Sequence, residues 1–354
     1  MAAVVLVTPD LLPIITAYQH GVVEDTNGLY RLLAAVDLSA LHYLQLMGDP
    51  RYPGACYRAF AAVRKRLHPA ALQRVEFSRY RPIVVYYALV FGLLPVVKRM
   101  RASSRAAISN SQWAVAAAFG HFAIVEHLHL HDSGSYDPRA MKAAVVQGNL
   151  AMVLYLADLG YWTPDVLRWA VAGGQVAIAE FAFDRRTATD GPLGAPSINE
   201  AARLGHVDAL RFVHERRLDG FSDEAVDIAA ANGDLDVVRF LFRKRRLRGS
   251  PRAMYYAVES NYADVVQYLD EHSEANDIAG SLRRAARCGH IEIVRYFCSH
   301  YEGETLLSGA VCAAKEGLLA AATVEHKQRC HAVLAYLHRL RPEMAPEDRP
   351  CVIQ

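Results

Sequence analysis

The sequence lacks the local motifs that mark the common catalytic sites. It contains no G-x-S-x-G elbow, no phosphate-binding Walker loop, no G-x-G-x-x-G turn after a strand and no H-E-x-x-H pair. Without such a motif, nothing in the chain indicates where a nucleophile, a base and an electrophilic group would meet. We therefore expect a protein that is not an enzyme and that binds no cofactor.

An excess of charge of either sign is also missing. Lysine and arginine total 39 residues and aspartate and glutamate total 37, which leaves a net charge of +2. Proteins that bind nucleic acids usually carry a clear basic excess. The balance gives no general reason to expect a nucleic acid or an anionic surface as the partner.

Apolar runs long enough to cross a membrane do not occur. The longest candidate runs from Pro82 to Val97, whereas a membrane-spanning helix needs about 20 residues. The apolar N-terminus has no basic region of the kind that opens a signal peptide, and Pro9-Asp10 interrupts it. We expect a cytoplasmic protein.

Cysteine and metal-ligand patterns are scarce. The six cysteines form no C-x-x-C pair, so we expect reduced thiols in a cytosolic or nuclear protein. His127, His129 and His131 alternate, but only the outer two share a helical face and no further ligand is suitably spaced. We interpret them as helix-surface histidines and expect no bound metal.

What the sequence does contain is a repeat. A glycine, once replaced by asparagine, recurs along most of the chain, and most of the intervals are 28 residues, as from Gly205 to Gly233. We call it the turn position, which is occupied by Gly92, Gly120, Gly148, Gly174, Gly205, Gly233, Asn261, Gly289 and Gly317. Glycine and asparagine tolerate the left-handed backbone that ends many helices. We expect a helix to end at each turn position.

The residues around the turn position predict two helices per repeat. An alanine stands four residues before it in every copy, and a single methyl group there lets neighbouring helices approach closely. Apolar residues follow the turn position at the spacing of a buried helical stripe, as in Ile291, Ile293, Val294 and Phe297. Caps followed by proline, such as Thr163-Pro164 and Ser250-Pro251, mark the starts of first helices.

This pattern resembles the ankyrin repeat over about residues 80–340. The residues that carry the likeness are the pairs Gly120-His121, Gly205-His206 and Gly289-His290 and the acidic residues Asp208, Asp236, Asp264 and Glu292. The resemblance implies an all-α fold, an α-solenoid of stacked helix-turn-helix repeats that acts as a non-catalytic scaffold for protein–protein interaction. Because the period is shorter than the family's usual 33 residues, we expect shortened hairpin fingers.

The repeat predicts three segments in the chain. These are a helical N-terminal cap over residues 1–78, an ankyrin-like array of about nine repeats over 79–340 and a flexible tail over 341–354. A turn-rich insertion from Asp190 to Ser197 lengthens one interval, and the last repeat is lengthened before its second helix. We expect the protein to be a monomer.

The two ends of the chain leave alternatives open. Residues Pro9 to Ala40 resemble the F-box, a helical module that docks onto ubiquitin ligases, and this resemblance would imply a substrate adaptor. The final residues Cys351-Val352-Ile353-Gln354 fit the prenylation box, with Cys351 as the lipidated residue and farnesyl as the lipid. A membrane is an expected partner only if Cys351 is prenylated.

Candidate partner-binding residues lie on the first helices, which by the resemblance to ankyrin repeats line the concave face of the array. Positions six and two residues before the turn position share a helical face, and they vary among polar, charged and aromatic residues, as recognition surfaces do. With two neighbouring aromatic residues, the candidates are Lys142, Arg168, Trp169, Asn199, Arg203, Asp227, Tyr255, Tyr256, Glu259, Arg283, Arg287 and Lys315. The alternative is an ordinary solvated stripe. Trp113 falls in an apolar register and is expected in the core.

One dense basic run runs from Arg243 to Arg248. This run has three possible interpretations, which are a nuclear import signal, a phosphate contact and a solvated edge of the repeat.

Overall fold

The computed structural model describes residues 81–102, 110–132, 136–187, 191–247, 249–273 and 277–340. All regular structure within these ranges is helical, which confirms the predicted all-α fold. The predicted N-terminal cap, the F-box-like residues Pro9 to Ala40 and the tail with Cys351 lie outside the described residues. The chain divides into two compact units, Met1–Asp190 and Gly191–Gln354.

The described part of the first unit consists of helix pairs, each with a first helix, a turn and a second helix. The first helices are α1 (Arg81–Val90), α3 (Asn110–Ala118), α5 (Arg139–Val146) and α7 (Val166–Ala172). The second helices are α2 (Leu94–Ala102), α4 (Phe122–Asp132), α6 (Leu150–Asp158) and α8 (Val176–Asp184). Consecutive first helices pack side by side. Trp113 on α3 is fully buried, as expected.

The described part of the second unit continues the same pattern. Its first helices are α9 (Ala195–Arg203), α11 (Asp223–Asn232), α13 (Pro251–Glu259), α15 (Ile278–Cys288) and α17 (Glu304–Ala320). Its second helices are α10 (Val207–Glu215), α12 (Leu235–Phe240), α14 (Ala263–His272), α16 (Ile291–His300) and α18 (Val324–Leu340). A π-helical turn, Leu241–Arg245, extends α12. First helices pack on first helices and second on second, so the unit has two layers.

The turn position ends the first helix in eight of the copies. Its backbone is left-handed there, with φ between 64° at Asn261 and 78° at Gly233. The N–H group of the following residue donates to the carbonyl of the alanine four residues before the turn position, at 2.8–3.0 Å. Each of these alanines is fully buried. One short segment therefore closes the helix and also supplies the small residue of the helix–helix contact.

The residue after the turn position joins successive repeats. Nε2 of His121 lies 3.1 Å from the carbonyl oxygen of Val90 in the preceding repeat, and Nε2 of His290 lies at the same distance from that of Glu259. A Cβ added at Gly92 would lie 2.8 Å from the ring of His121. The turn position is glycine both for its left-handed backbone and for the space that the next repeat fills.

The expectation that every turn position ends a helix is wrong for Gly317. This residue lies inside α17, where a Cβ would overlap the backbone carbonyl of Arg287 on α15. The same carbonyl lies 3.1 Å from Nε2 of His326 on α18. In the last repeat the glycine therefore allows α15 and α17 to cross closely. The first and second helices of this repeat are both longer, and the histidine that contacts the carbonyl of the preceding repeat lies on α18 instead of directly after the turn position.

The predicted helix starts differ in detail. The hydroxyl of Ser250 caps α13 by accepting from the N–H of Arg252 at 3.1 Å, with Pro251 as the first helical residue. The hydroxyl of Thr163 accepts from the N–H of Asp165 at 3.3 Å, but α7 begins only at Val166. In that repeat, Thr163-Pro164 therefore forms a turn that precedes the helix and does not form the first residues of the helix.

Candidate partner-binding surfaces

The two units divide the predicted partner-binding residues between them. In the first unit, Lys142 on α5 is exposed, whereas Arg168 and Trp169 on α7 are half-buried. Arg168 forms an ion pair with Asp165 one turn earlier. The remaining candidates belong to the second unit, where side chains from several helices meet.

A network of Tyr255, Glu259 and Arg284 connects α13 with α15. The guanidinium carbon of Arg284 lies 3.7 Å from the ring centroid of Tyr255, and its Nη1 lies 3.4 Å from a carboxylate oxygen of Glu259. The ring of Tyr256 meets that of Tyr255 edge-on at 5.4 Å. The two rings are 39% and 37% exposed, a high fraction for aromatic side chains in an otherwise well-packed layer.

Further basic side chains lie on α15 and on the next first helix, α17. Arg283 and Arg287 on α15 and Lys315 on α17 are exposed, and the aliphatic part of Arg283 lies against Gly309 of α17. We call this surface the first-helix face, which consists of Tyr255, Tyr256, Glu259, Arg283, Arg284, Arg287 and Lys315. It combines exposed aromatic rings with arginine side chains, residue types that are enriched at interaction hot spots.

Asp227 does not belong to this face. It is 9% exposed, and its carboxylate accepts from the backbone N–H of Ser250 at 2.8 Å and from the hydroxyl of Ser250 at 2.6 Å. These bonds tie α11 to the cap of α13. The repeat register assigned Asp227 to the partner surface, but the following loop folds back over it, so its role is structural.

Asn199 and Arg203 lie on α9 and are engaged locally. The amide of Asn199 donates to Glu224 on α11 at 2.8 Å. Arg203 donates to Glu200 at 2.8 Å, and this hydrogen bond is the main reason why the pKa of Glu200 lies below its usual value. Both side chains stand two repeats away from the tyrosine pair.

Sequence reasoning missed Arg284, which holds the face together. Its position, five residues before Gly289, lies between the two positions that were chosen. The sequence does indicate a role for Arg284, because three arginines, Arg283, Arg284 and Arg287, lie close together in a single helix.

The basic run lies at a groove between second helices. An open cavity of about 790 Å³ separates α10 from α12 and its π turn, and Arg243 and Lys244 line it. We call it the second-helix groove. Arg248 lies outside the described residues.

The cysteines only partly fit the expectation of reduced thiols. Cys288, Cys298 and Cys330 are free, whereas Cys312 is disulfide-bonded, so the expectation is wrong for that residue. Burial raises the pKa of the Cys298 thiol to about 11 and also raises the pKa values of Cys288 and Cys330. These three thiols are therefore poor nucleophiles at neutral pH.

The three histidines of α4 separate into two groups. The rings of His127 and His131 lie 4.4 Å apart, while Nδ1 of His129 lies 2.9 Å from the hydroxyl of Tyr161. Among the described residues, no three His, Cys, Asp or Glu side chains come together as metal ligands would. Across the same part of the chain, every helix is too short or too polar to span a bilayer.

The fold and these surfaces define a class: an all-helical repeat protein in which neighbouring helix pairs within each unit pack on one another. The family model for ankyrin repeats, in three copies, matches residues 226–307, and the predicted resemblance is confirmed there. This segment runs from α11 to the start of α17 and includes most of the first-helix face. No curated protein matches the chain. Ankyrin repeats are a protein–protein interaction module, typically non-catalytic.

Proposed function

We propose that this protein is a non-catalytic scaffold that binds a protein partner through the first-helix face of its second unit. The observation that carries the proposal is the Tyr255–Arg284–Glu259 network. It fixes an exposed aromatic ring in place before any partner arrives, which lowers the entropy cost of binding.

The charges of the face favour a partner of a particular kind. The face has four basic side chains, and Glu259 is already engaged by one of them, Arg284. An opposing surface with carboxylates around an apolar group would match both features. We therefore propose an acidic protein segment with an apolar side chain at its centre as the partner.

Two substitutions with matched controls test this proposal. The tagged full-length protein is purified from its own cells with its bound proteins, which are quantified by mass spectrometry. Tyr255→Ala and Arg287→Glu should each reduce a bound protein about ten-fold or more, as expected for hot-spot residues. Leu154→Ala, at a residue nearly as exposed as Tyr255, and Lys327→Glu change exposed residues outside the face and should leave binding unchanged.

The partner found in this way is then produced in pure form and titrated directly. Equal affinity for the wild-type protein and both face variants would refute the proposal. The adaptor role of Pro9 to Ala40 and the membrane tether at Cys351 stay separate predictions. Deletion of residues 1–45 tests the first through loss of a ubiquitin-ligase component, and the intact mass of a Cys351→Ser variant beside the wild type tests the second.

A further inference from the structure

The second-helix groove contains basic side chains that the fold does not use. Arg211 and Arg239 line it beside Arg243 and Lys244. Arg211 lies 3.1 Å from Asp208, and the guanidinium carbon of Arg239 lies 5.8 Å from the ring centroid of Tyr268. Within the described ranges, Arg243 and Lys244 have neither an ion pair nor a hydrogen bond to their side chains. Both are exposed.

Arg243 reverses the charge that the repeat has at its position. Ten residues after the turn position, four other repeats carry an acidic residue, namely Asp158, Asp184, Glu215 and Glu271. Because these repeats have a carboxylate at this position, the packing of the repeat does not require an arginine there. A charge that packing does not require, on a residue that lines a groove, is free to contact a ligand.

The backbone departs from the repeat at the same place. In the preceding repeat the left-handed residue after the second helix is Arg217, twelve residues after the turn position, with φ of 54°. Here the corresponding left-handed residue is Arg246, thirteen residues after the turn position, and the additional residue is accommodated by the π turn. Such single π turns within α-helices occur frequently at functional sites.

The mixed charge of the groove restricts the ligand. Asp208, Glu215 and Asp236 line it together with the four basic residues. These carboxylates would repel an extended polyanion or an anionic bilayer, whose charges are spread along the whole surface. A compact anion needs only the two cations Arg243 and Lys244, and a phosphoryl group offers three strong acceptor oxygens for such donors. The cavity is also much larger than a single phosphate.

We propose that the second-helix groove binds a phosphorylated segment of a partner protein, with the phosphoryl group held by Arg243 and Lys244. The residues that flank the phosphorylated side chain occupy the rest of the groove along α10. This site is separate from the first-helix face and does not depend on the function proposed for that face.

Fluorescence anisotropy with the full-length protein tests the site. The probes are three labelled degenerate peptide pools that are identical except for a central phosphoserine, serine or glutamate. We expect the phosphoserine pool to bind at least ten-fold more tightly than the serine pool, with the glutamate pool in between. The combination of Arg243→Glu with Lys244→Glu should abolish the difference between the phosphoserine and serine pools. Arg252→Glu with Lys327→Glu, two exposed positions outside the groove, should retain it.

Folding of the variants is checked by circular dichroism. The repeat itself supplies a milder variant, Arg243→Ser, since Ser299 stands at the same position in a later repeat. If this variant and the double reversal both retain the preference for phosphoserine, the proposal is overturned. Equal binding of all pools also overturns it. So does tighter, Arg243-dependent binding of phosphatidylserine vesicles or of single-stranded RNA. Tyr255→Ala should leave the preference intact, which separates this site from the first-helix face.

Discussion

The first-helix face and the second-helix groove hold their basic side chains in different ways. On the face, Arg284 is fixed between the ring of Tyr255 and the carboxylate of Glu259. In the groove, the side chains of Arg243 and Lys244 form no ion pair and no hydrogen bond with other described residues. A free lysine or arginine loses up to about 2 kcal/mol of side-chain entropy when it is fixed by a ligand. The face therefore suits an extended protein surface, whereas the groove requires a group that forms strong, charge-assisted hydrogen bonds in return.

Both regions depend on the same helix pairs, but on different layers of them. The face lies on α13, α15 and α17, and the groove lies between α10 and α12. Substitutions at helix contacts can thus damage one region more than the other.

Replacement of Gly317 by valine should have the largest effect and should damage the face. The new side chain would force α17 away from the carbonyl of Arg287 on α15. We expect a loss of about 3 kcal/mol in the free energy of unfolding, measured in urea, as for a severely overpacked contact. Gly309→Ala on the same helix meets only ordinary contacts and should be neutral or slightly stabilising. Equal effects of the two changes would show that α17 does not cross α15 as closely as described.

Substitution of Asp227 by alanine should come next. Its carboxylate accepts two hydrogen bonds from Ser250, and the N–H of Ser250 would lose its partner. We expect a loss of about 2 kcal/mol in the free energy of unfolding. Ser250→Ala alone should cost about 1 kcal/mol, and the double variant should cost less than the sum of the two. An unchanged free energy of unfolding together with lost partner binding would return Asp227 to the partner surface.

The residues that sequence reasoning placed correctly are those whose role is local. The glycine of the turn and the alanine before it act within one helix and its neighbour, so their spacing predicted the paired helices. Tyr255 and Arg283 are exposed, as their register in the first helix predicts.

The misplaced residues depend on contacts that a single repeat does not encode. Asp227 is buried because Ser250 folds back over it, and Gly317 lies inside a helix because α17 crosses α15 closely. The charge reversal at Arg243 was readable from the repeat alignment within the chain. The π turn could not be predicted from the sequence. The loop after it is one residue shorter, so the spacing between turn positions stays at 28 residues.

Acidification should lower the free energy of unfolding through protonation of His290, whose ring contacts the helix that carries Tyr255 and Glu259. Burial lowers the pKa of this histidine, and the positive charges of Arg329 and His326 lower it further, outweighing its hydrogen bond to the carbonyl of Glu259. The unfolded chain therefore takes up a proton at a higher pH than the folded protein. The stability contribution is complete above about pH 6.5 and falls as the pH drops below that value.

The variant His290→Gln should flatten this dependence. Gln175 occupies the same position in another repeat and donates to the carbonyl of Val146 at 3.5 Å, so the hydrogen bond is expected to survive. His206, whose pKa burial also lowers, contributes to both proteins alike. Urea unfolding between pH 7.5 and 5.5 measures the difference. A slope that is the same in the variant and the wild type would exclude His290 as its source.

The smallest effect is expected at the end of the π turn. Arg246 has φ of 55°, a backbone conformation that costs a side-chain-bearing residue about 1 kcal/mol and glycine almost nothing. Arg246→Gly should raise the free energy of unfolding by about 1 kcal/mol or less, because glycine also gives the unfolded chain more freedom. Arg217→Gly, at the equivalent turn without a π insertion, is the matched comparison. If both changes stabilise the protein and the preference for phosphoserine persists, the groove acts through Arg243 and Lys244. If Arg246→Gly stabilises the protein but reduces that preference, the strained arginine is a third contact to the phosphoryl group.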